Sequence, residues 1–365
     1  MRIKDLTSYL ESLAPLSYQE DYDNSGLITG HSEAEISGAL ISLDCTEEDV
    51  EEAIRKGCNL IISHHPIVFK GLKKFNGSTY VERVIIKAIK HDIAIYAIHT
   101  NLDHIQQGVN SKICEKLDLT VPSILVPKSG MLRKLTTYAP TGNAEQVRSA
   151  LFAAGAGNIG NYSGCSFNAE GYGTFKASEN ANPFVGKKGE LHLENEVKIE
   201  VIYTAYQEAN LVTALKQSHP YEEVAYDIYP LVNSHEQVGA GMAAELKHEM
   251  SEPEFLSFVK EKLNAKVVRY TNLLGRNVKK VAVCGGSGSF LLKNAIAAKA
   301  DVFITADFKY HEFFDAEKRI VIADVGHFET EQFTQELLYE IIRKKFANFA
   351  LHLTEYNTNP INYLI

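Results

Sequence analysis

Three segments that lie far apart in the sequence carry side chains of the kinds that bind metal ions, and each follows a short apolar run typical of a buried strand. The candidate ligands are His64, His65, Asp103, His327 and Glu331. The carboxyl ends of the strands in an open α/β sheet form the edge at which ligands bind, so these segments can converge there. The sequence therefore predicts one site built from these side chains.

The composition of this ligand set indicates which ions it suits. Three imidazoles with two carboxylates favour zinc, manganese or iron over calcium or copper(I). His64 and His65 precede a proline at a strand end, where both can turn towards the same edge and be offered to different ions. His327 and Glu331 share one face of a helical turn because they are spaced i, i+4. Five protein ligands are too many for one open tetrahedral site, so we expect two divalent ions bridged by a carboxylate.

Other polar groups near the same edge each have two interpretations. His99 and His104 follow a strand, and for both we expect a capping or packing role. Residues 285–288, Gly-Gly-Ser-Gly, either offer backbone N–H groups to a phosphate or form only a tight turn, since they lack the Lys-Ser/Thr of a P-loop. Three candidate catalytic residues either position substrate and transfer protons or only begin a helix: Asp307, Lys309 and His311.

The elements that must position these residues follow from the hydrophobic pattern. Near-continuous apolar runs alternating with amphipathic stretches are typical of an α/β unit with largely parallel strands. We predict strands at 38–44, 59–63, 93–99, 278–284, 302–305 and 320–324, and helices at 46–56, 80–91, 290–300 and 330–345.

The middle of the chain has a different pattern, with two similar halves joined by a glycine-rich connection at 171–189. We predict strands at 134–140, 161–167, 197–203 and 224–229, and helices at 144–154 and 207–217. This βαβ–βαβ order is the ferredoxin-like arrangement. We therefore expect an α+β insert at 127–247 within a discontinuous α/β domain made of 1–126 and 248–365.

Composition excludes several classes of protein. The 365 residues include 37 basic and 46 acidic ones, and the net charge of −9 argues against a protein that binds nucleic acid non-specifically. The 5 cysteines are scattered singly, which fits neither a disulfide framework nor a zinc knuckle. We find neither a signal-peptide pattern nor an apolar run of roughly 20 residues, so we expect a cytoplasmic protein without a membrane segment.

Several motifs together resemble the GTP cyclohydrolase I type 2 homologues, also called the Nif-three-like family, over the whole chain. They are DNSGL at 23–27, SHHPI at 63–67, HTNLD at 99–103, ITADFKYH at 304–311 and GHFETE at 326–331. The insert, with HPYEE at 219–223, resembles the PII/CutA-like domain of longer bacterial members. Tyr22 stands where many members have Trp, an exchange of one aromatic residue for another.

The resemblance implies a dinuclear metal site at His64, His65, Asp103, His327 and Glu331, with Glu331 bridging, inside a toroidal homohexamer. We therefore expect a hydrolase of a nucleotide-like substrate that acts through a metal-bridging hydroxide, either opening a purine ring at C8 or cleaving a phosphoester. Basic side chains or residues 285–288 would hold a triphosphate. The alternative is a non-enzymatic metal-handling or regulatory protein whose insert senses a small molecule.

Overall fold

The computed structural model describes residues 1–364 and separates the chain into two compact units. The discontinuous unit comprises Met1–Pro127 and Gln237–Ile365, and the central unit comprises Lys128–Glu236. The chain leaves the first unit close to the expected residue 127 but returns to it at Gln237, before the expected residue 248. The physical reason is a long strand at His235–Ser251, most of which belongs to a sheet of the discontinuous unit.

The regular elements fall into three groups along the chain. The first part of the chain contains α1 (Ile3–Leu13), β1 (Gly26–Thr29), β2 (Ala39–Ser42), α2 (Glu47–Lys56), β3 (Leu60–Ser63), α3 (Tyr80–Lys90), β4 (Ala94–Ala97), α4 (Thr100–Asp103), α5 (Val109–Lys116) and β5 (Leu119–Lys128). The central unit contains β6 (Leu132–Pro140), α6 (Ala144–Ala153), β7 (Phe167–Lys176), β8 (Leu191–Thr204), α7 (Glu208–Ser218) and β9 (Tyr226–Pro230). The last part contains β10 (His235–Ser251), α8 (Glu252–Lys262), β11 (Arg269–Tyr270), β12 (Asn277–Ser287), α9 (Leu292–Ala297), β13 (Val302–Ala306), β14 (Val321–Asp324), α10 (His327–Glu331), α11 (Thr334–Lys345) and β15 (Leu351–Leu353).

Two mixed sheets form the discontinuous unit. One has the order β1-β4-β3-β2-β15, in which β15, β2, β3 and β4 are parallel and β1 is an antiparallel edge strand. The other has the order β11-β14-β13-β12-β10-β5, with β12, β13 and β14 parallel. Every residue of β2, β3 and β4 is buried, as expected for parallel strands covered on both faces. This architecture confirms the predicted α/β class.

The helix α2 shows how local sequence fixes an element of this unit. Thr46 and Asp49 form a capping box at its N-terminus, and Gly57 ends it with φ at 69°. Apolar residues of α2 then pack with those of β2, β3 and α3 in one core. The sequence pattern at 46–56 therefore predicted both ends of this helix.

The central unit has the element order β-α-β-β-α-β and a four-stranded sheet in the order β7-β8-β6-β9 with antiparallel neighbours. The strand expected at 161–167 instead begins at Phe167 and extends to Lys176. Glycines at 171 and 173 hid this strand in the sequence, because glycine is typical of a loop and gives no alternating pattern.

Two helices of the discontinuous unit also differ from the sequence prediction. The expected helix at 290–300 is a 3₁₀ turn at Ser289–Leu291 followed by α9. The expected helix at 330–345 is two helices, α10 and α11, and the first already begins at His327. The earlier start places His327 and Glu331 on the same short helix.

Candidate metal centre

The five predicted ligands converge at the carboxyl ends of strands from both sheets of the discontinuous unit. His64 and His65 directly follow β3, Asp103 ends the short helix after β4, and His327 and Glu331 are the first and last residues of α10, after β14. They form two groups of three whose candidate ligand atoms all lie within 4.8 Å of one another. We call His64, Asp103 and Glu331 the first triad, and His65, His327 and Glu331 the second triad.

In the second triad, both histidine rings contact the same carboxylate oxygen, Glu331 Oε2. Glu331 Oε2 lies 2.9 Å from His65 Nε2 and 3.1 Å from His327 Nε2. The two Nε2 atoms are 3.4 Å apart. Three ligand atoms at these separations face a common point, which is the arrangement that a metal ion requires.

The first triad is more open and leaves polar atoms without partners. His64 Nε2 lies 3.6 Å from Asp103 Oδ1 and 3.9 Å from Glu331 Oε1. Within residues 1–364, the buried atoms His64 Nε2 and Asp103 Oδ1 have no hydrogen-bond partner. Buried polar atoms are almost always satisfied, so these two call for an additional group between them. A divalent cation fits, because imidazole nitrogen and carboxylate oxygen are both ligands for first-row metals.

Each histidine of the two triads is oriented through its other ring nitrogen. His64 Nδ1 donates to the Ile98 carbonyl at 2.8 Å, and His65 Nδ1 donates to Asp44 Oδ1 at 2.8 Å. Such contacts are typical of metal-binding histidines, because they fix the tautomer and turn Nε2 towards the ion. Asp44 lies two residues after the end of β2, at the same edge of the sheet, a signal that could have identified it from the sequence.

The third histidine has the same kind of support from a residue with a different predicted role. His327 Nδ1 bonds to Asp307 Oδ2 at 2.7 Å, so this candidate catalytic residue orients a candidate metal ligand. Lys309 and His311 are exposed, at and just after the start of a 3₁₀ helix at Tyr310–Ala316. Across the described part of the chain, neither makes a hydrogen bond to a triad side chain. The structure therefore brings Asp307 to the centre, whereas Lys309 and His311 make no hydrogen bond to it within the described residues.

Burial and charge set the protonation of the histidines. Burial lowers the pKa of His64 to about 3, so its imidazole is neutral. Burial also opposes protonation of His65, but hydrogen bonds to Asp44 and Glu331 raise its pKa to about 10. His327 is likewise opposed by burial and raised to about 11 by Glu331 and Asp307. The protonated rings of His65 and His327 thus donate hydrogen bonds to Glu331 Oε2, and these bonds hold the second triad together.

The pKa values of the two candidate ligand carboxylates are shifted in opposite directions. Burial and the charge of Glu331 raise the pKa of Asp103 well above its usual range. Burial acts in the same sense on Glu331, but His327 and His65 outweigh it and hold its pKa well below the usual value. Glu331 is therefore ready to bind as an anion, while a cation in the first triad is needed to keep Asp103 ionised.

His99 lies at the centre although the sequence indicated only capping or packing. With His64 and His65 it forms a third group of possible ligands, and its ring centroid is 5.2 Å from that of His64. Its Nδ1 bonds to Asp23 Oδ1 at 2.8 Å, the same support that the other histidines have. Nothing local distinguished His99 from His104, whose Nδ1 donates to the Tyr18 carbonyl as expected of a packing residue.

The C-terminal segment contributes to the centre in a way that the sequence did not reveal. Thr358 Oγ1 donates to Asp44 Oδ2 at 2.7 Å, and Asp44 in turn orients His65. The same segment is anchored to α2, where Thr354 Oγ1 lies within hydrogen-bond distance of Asp49 Oδ1 at 2.7 Å and of Glu52 Oε2 at 2.8 Å. Residues 354–359 therefore fix one side of the second triad.

The two triads open into a cleft of about 920 Å³. Aromatic side chains at its wall include Tyr22, Phe69 and Phe290. Among the described residues, its lining contains no lysine and no arginine, so the basic side chains expected to bind a triphosphate are not found there. The N–H groups of Gly285 and Gly286 donate to Asn110 Oδ1 and Thr330 Oγ1, which favours the tight-turn interpretation of this loop.

Gly286 is required by the geometry of the centre. Its φ is +60°, and a Cβ there would lie 2.4 Å from Glu331 Oε1 and 3.1 Å from the ring of His327. A side chain at this position would therefore displace the carboxylate that the two triads share.

None of the described helices is long and apolar enough to span a membrane.

Comparison with known proteins assigns this chain to a family. Residues 1–360 match the family described as Duf34/NIF3 (NGG1p interacting factor 3), and the chain belongs to it. This confirms the resemblance seen in the sequence motifs.

Similar proteins cover essentially the whole chain. A protein of Bacillus subtilis (strain 168) named GTP cyclohydrolase 1 type 2 homolog is 40% identical over 367 residues, which are 99% of this chain and 98% of that protein. A protein of the same name from Staphylococcus aureus (strain MSSA476) is 36% identical over 369 residues, covering both chains fully. Among solved structures, the Bacillus cereus protein related to NIF3 is similar with a TM-score of 0.87 at 38% identity, covering 100% of this chain and 99% of that one. Staphylococcus aureus protein SA1388 gives a TM-score of 0.79 at 33% identity, with the same coverage.

Proposed function

We propose that this protein is a hydrolase that uses two divalent metal ions, one in each triad, to act on a nucleotide-like substrate. The observation that carries the proposal is the pair of unpartnered buried atoms, His64 Nε2 and Asp103 Oδ1, beside a carboxylate that a second group of histidines shares. When bound, two such ions supply Lewis acidity and lower the pKa of a water molecule, which is the chemistry that hydrolysis needs.

The protein's own residues have three roles in this proposal. Glu331 faces His64 with one oxygen and His65 with the other, so its carboxylate would be shared by both ions when they are bound. Asp44 and Asp307 keep His65 and His327 aimed at the centre. The apolar wall of the cleft, with Phe69 and Phe290 among its residues, limits access of bulk water to the reacting atoms.

The charge of the site narrows the substrate class. Two carboxylates are ligands, and three more lie behind the histidines: Asp103, Glu331, Asp23, Asp44 and Asp307. The negative charges of these carboxylates nearly balance the positive charges of two divalent ions, and the described lining of the cleft adds no lysine or arginine. We therefore propose a substrate with one esterified phosphate group rather than a triphosphate, although the curated relatives carry GTP in their name.

Further parts of the proposal come from the family resemblance. We propose that the central unit is a ferredoxin-like, PII/CutA-like insert, because its element order and antiparallel sheet are compatible with that fold. We also propose a cytoplasmic homo-oligomer, a toroidal homohexamer that encloses the metal centres. Zinc, iron and manganese remain the candidate ions, since the ligand set accepts each of them.

The test is turnover by protein loaded separately with zinc, manganese or iron(II). We expect hydrolysis of bis(4-nitrophenyl) phosphate or of a nucleoside monophosphate, with GTP a poorer substrate. Activity should disappear in His64→Ala and in Glu331→Gln. The exposed His91 offers a matched control, and His91→Ala should retain full activity.

Two results would contradict parts of the proposal. Preferential opening of the GTP ring would refute the phosphoester assignment but keep the hydrolase. Tight, reversible metal binding that depends on His64 and Glu331, without turnover of any nucleotide or phosphoester, would refute the hydrolase and favour the metal-handling alternative.

A further inference from the structure

The central unit contains a second cavity, separate from the metal centre, of about 840 Å³. It lies on the face of the sheet opposite the helices. Leu135 and Ala139 of β6 and Ile199 of β8 belong to the core shared with α6 and α7, so the alternate residues of both strands face away. Tyr138 and Glu196 are among these alternate residues, and both line the cavity.

Two glycines of β7 form the floor of the cavity. Gly171 is paired with Glu196 across the sheet, which places it on the cavity face. A Cβ added at Gly171 would meet no atom within 4 Å, so its position opens directly into free space. Gly173 differs, because a Cβ there would lie 2.3 Å from Glu196 Oε2, which occupies the space above it.

Aromatic rings form the walls. The ring centroids of Phe175 and Tyr221 are 6.1 Å apart at an interplanar angle of 61°, and those of Phe184 and Tyr221 are 6.3 Å apart at 53°. Tyr221 belongs to the HPYEE motif, and its hydroxyl donates to Glu196 Oε1 at 2.8 Å. In neither pair are the rings stacked; Phe184 is exposed, and Phe175 and Tyr221 are half-buried.

The charges that face the cavity are predominantly negative. Glu196 lies on the sheet face, and Glu222 and Glu223 lie in the segment that covers it. Lys198 shares that face but pairs with Glu200 at 2.6 Å, so its charge is already compensated. Lys176 is the other lysine of the lining, but it follows Phe175 in β7, and the alternation along the strand places its side chain on the opposite face. Glu170 pairs in the sheet with Val197, a residue packed against the helix-side core, so its side chain belongs to the opposite face.

We infer that this cavity binds an organic ammonium ion with an aromatic or other apolar group. The positive charge lies beside the carboxylates of Glu196 and Glu222, and ring faces stabilise it further by cation–π attraction. The apolar group contacts Phe175 and Phe184. The volume is in the range of small-molecule sites. The HPYEE motif thereby has a role that the metal centre does not supply.

Calorimetric titration of the full-length, metal-loaded protein tests this inference with three probes of similar shape: 2-phenylethylammonium, 2-phenylethanol and 3-phenylpropanoate. We expect the ammonium ion to bind about tenfold more tightly than the neutral alcohol, and the carboxylate not to bind. Gly171→Leu should abolish binding by filling the free space above the strand. Gly142→Leu is the matched control, because Gly142 is also surrounded by free space but does not line the cavity.

A second variant separates charge from shape. In Glu196→Gln the side-chain carbonyl still accepts the Tyr221 hydroxyl, so the fold is retained while one negative charge is lost. We expect the preference for ammonium over alcohol to fall several-fold in this variant. Equal binding of all three probes, absence of ammonium binding, or unchanged binding in Gly171→Leu would overturn the inference. One combined result would also overturn it: the wild type binds no probe, and Gly171→Leu changes the oligomeric state. A second copy of the chain would then occupy the cavity.

Discussion

The division of the ligands into two triads that share Glu331 predicts a stepwise loss of metal. Asp103 belongs only to the first triad, and its Oδ1 atom has no hydrogen-bond partner among the described residues. Asp103→Ala should therefore remove one ion and leave the second triad intact. Glu331→Gln should impair both triads, because each loses its shared carboxylate oxygen.

The expected magnitudes follow from the number of sites affected. Loss of a supporting group behind a metal ligand already weakens binding about 10- to 100-fold, so loss of a ligand should cost at least about 100-fold. An ion present at 100 times its dissociation constant stabilises the folded state by about 2.7 kcal/mol. Under such conditions the wild type should gain about twice that amount, Asp103→Ala about 2.7 kcal/mol, and Glu331→Gln close to nothing.

Two measurements on the same samples check this prediction. Metal content after equilibrium dialysis should be two ions per chain in the wild type, one in Asp103→Ala and fewer than one in Glu331→Gln. Chemical denaturation with and without metal should reproduce the ordering of stabilities. The reasoning fails if Asp103→Ala loses both ions or neither, since the triads would then not be separate sites joined through Glu331.

Three further predictions concern the groups that support the centre. Because the pKa values of His65 and His327 are raised to about 10 and about 11, both protons are present at neutral pH and leave when metal binds. The apparent affinity for the ion in the second triad should therefore rise up to about 100-fold per pH unit between pH 6 and 8 and level off only above about pH 11. Calorimetry in buffers of different ionisation enthalpy should count about two protons released. A pH-independent affinity would refute this. Thr358→Val removes the hydroxyl that holds the carboxylate behind His65 and should weaken the second triad's ion about tenfold while leaving the first unchanged, as metal titrations of wild type and variant would show. Gly286→Ala should abolish metal binding by displacing the shared carboxylate, whereas Gly57→Ala, with a similar φ of +69° but free space around it, should cost only stability; equal metal content in the two variants would contradict the clash.

The sequence by itself determined the ligand types and the strand ends that carry them. Buried parallel strands are almost wholly apolar, so His64 stands out where one such run ends and Asp103 in the polar segment that follows another. The i, i+4 spacing of His327 and Glu331 predicted their common helical face, and the structure places them on one short helix. The α/β class followed from the same alternation of strands and amphipathic helices.

Only the tertiary structure decided which residues support and complete the centre. The partners of the histidines come from distant strands and from the C-terminal segment, and no local spacing relates Asp23 to His99 or Thr358 to Asp44. The absence of basic side chains from the described lining of the cleft is likewise a property of the folded surface. Periodicity reports which face of an element is buried, whereas these contacts depend on how separate elements pack. That is why the candidate ligands could be proposed from the sequence, whereas their convergence, orientation, pKa values and charge balance could not.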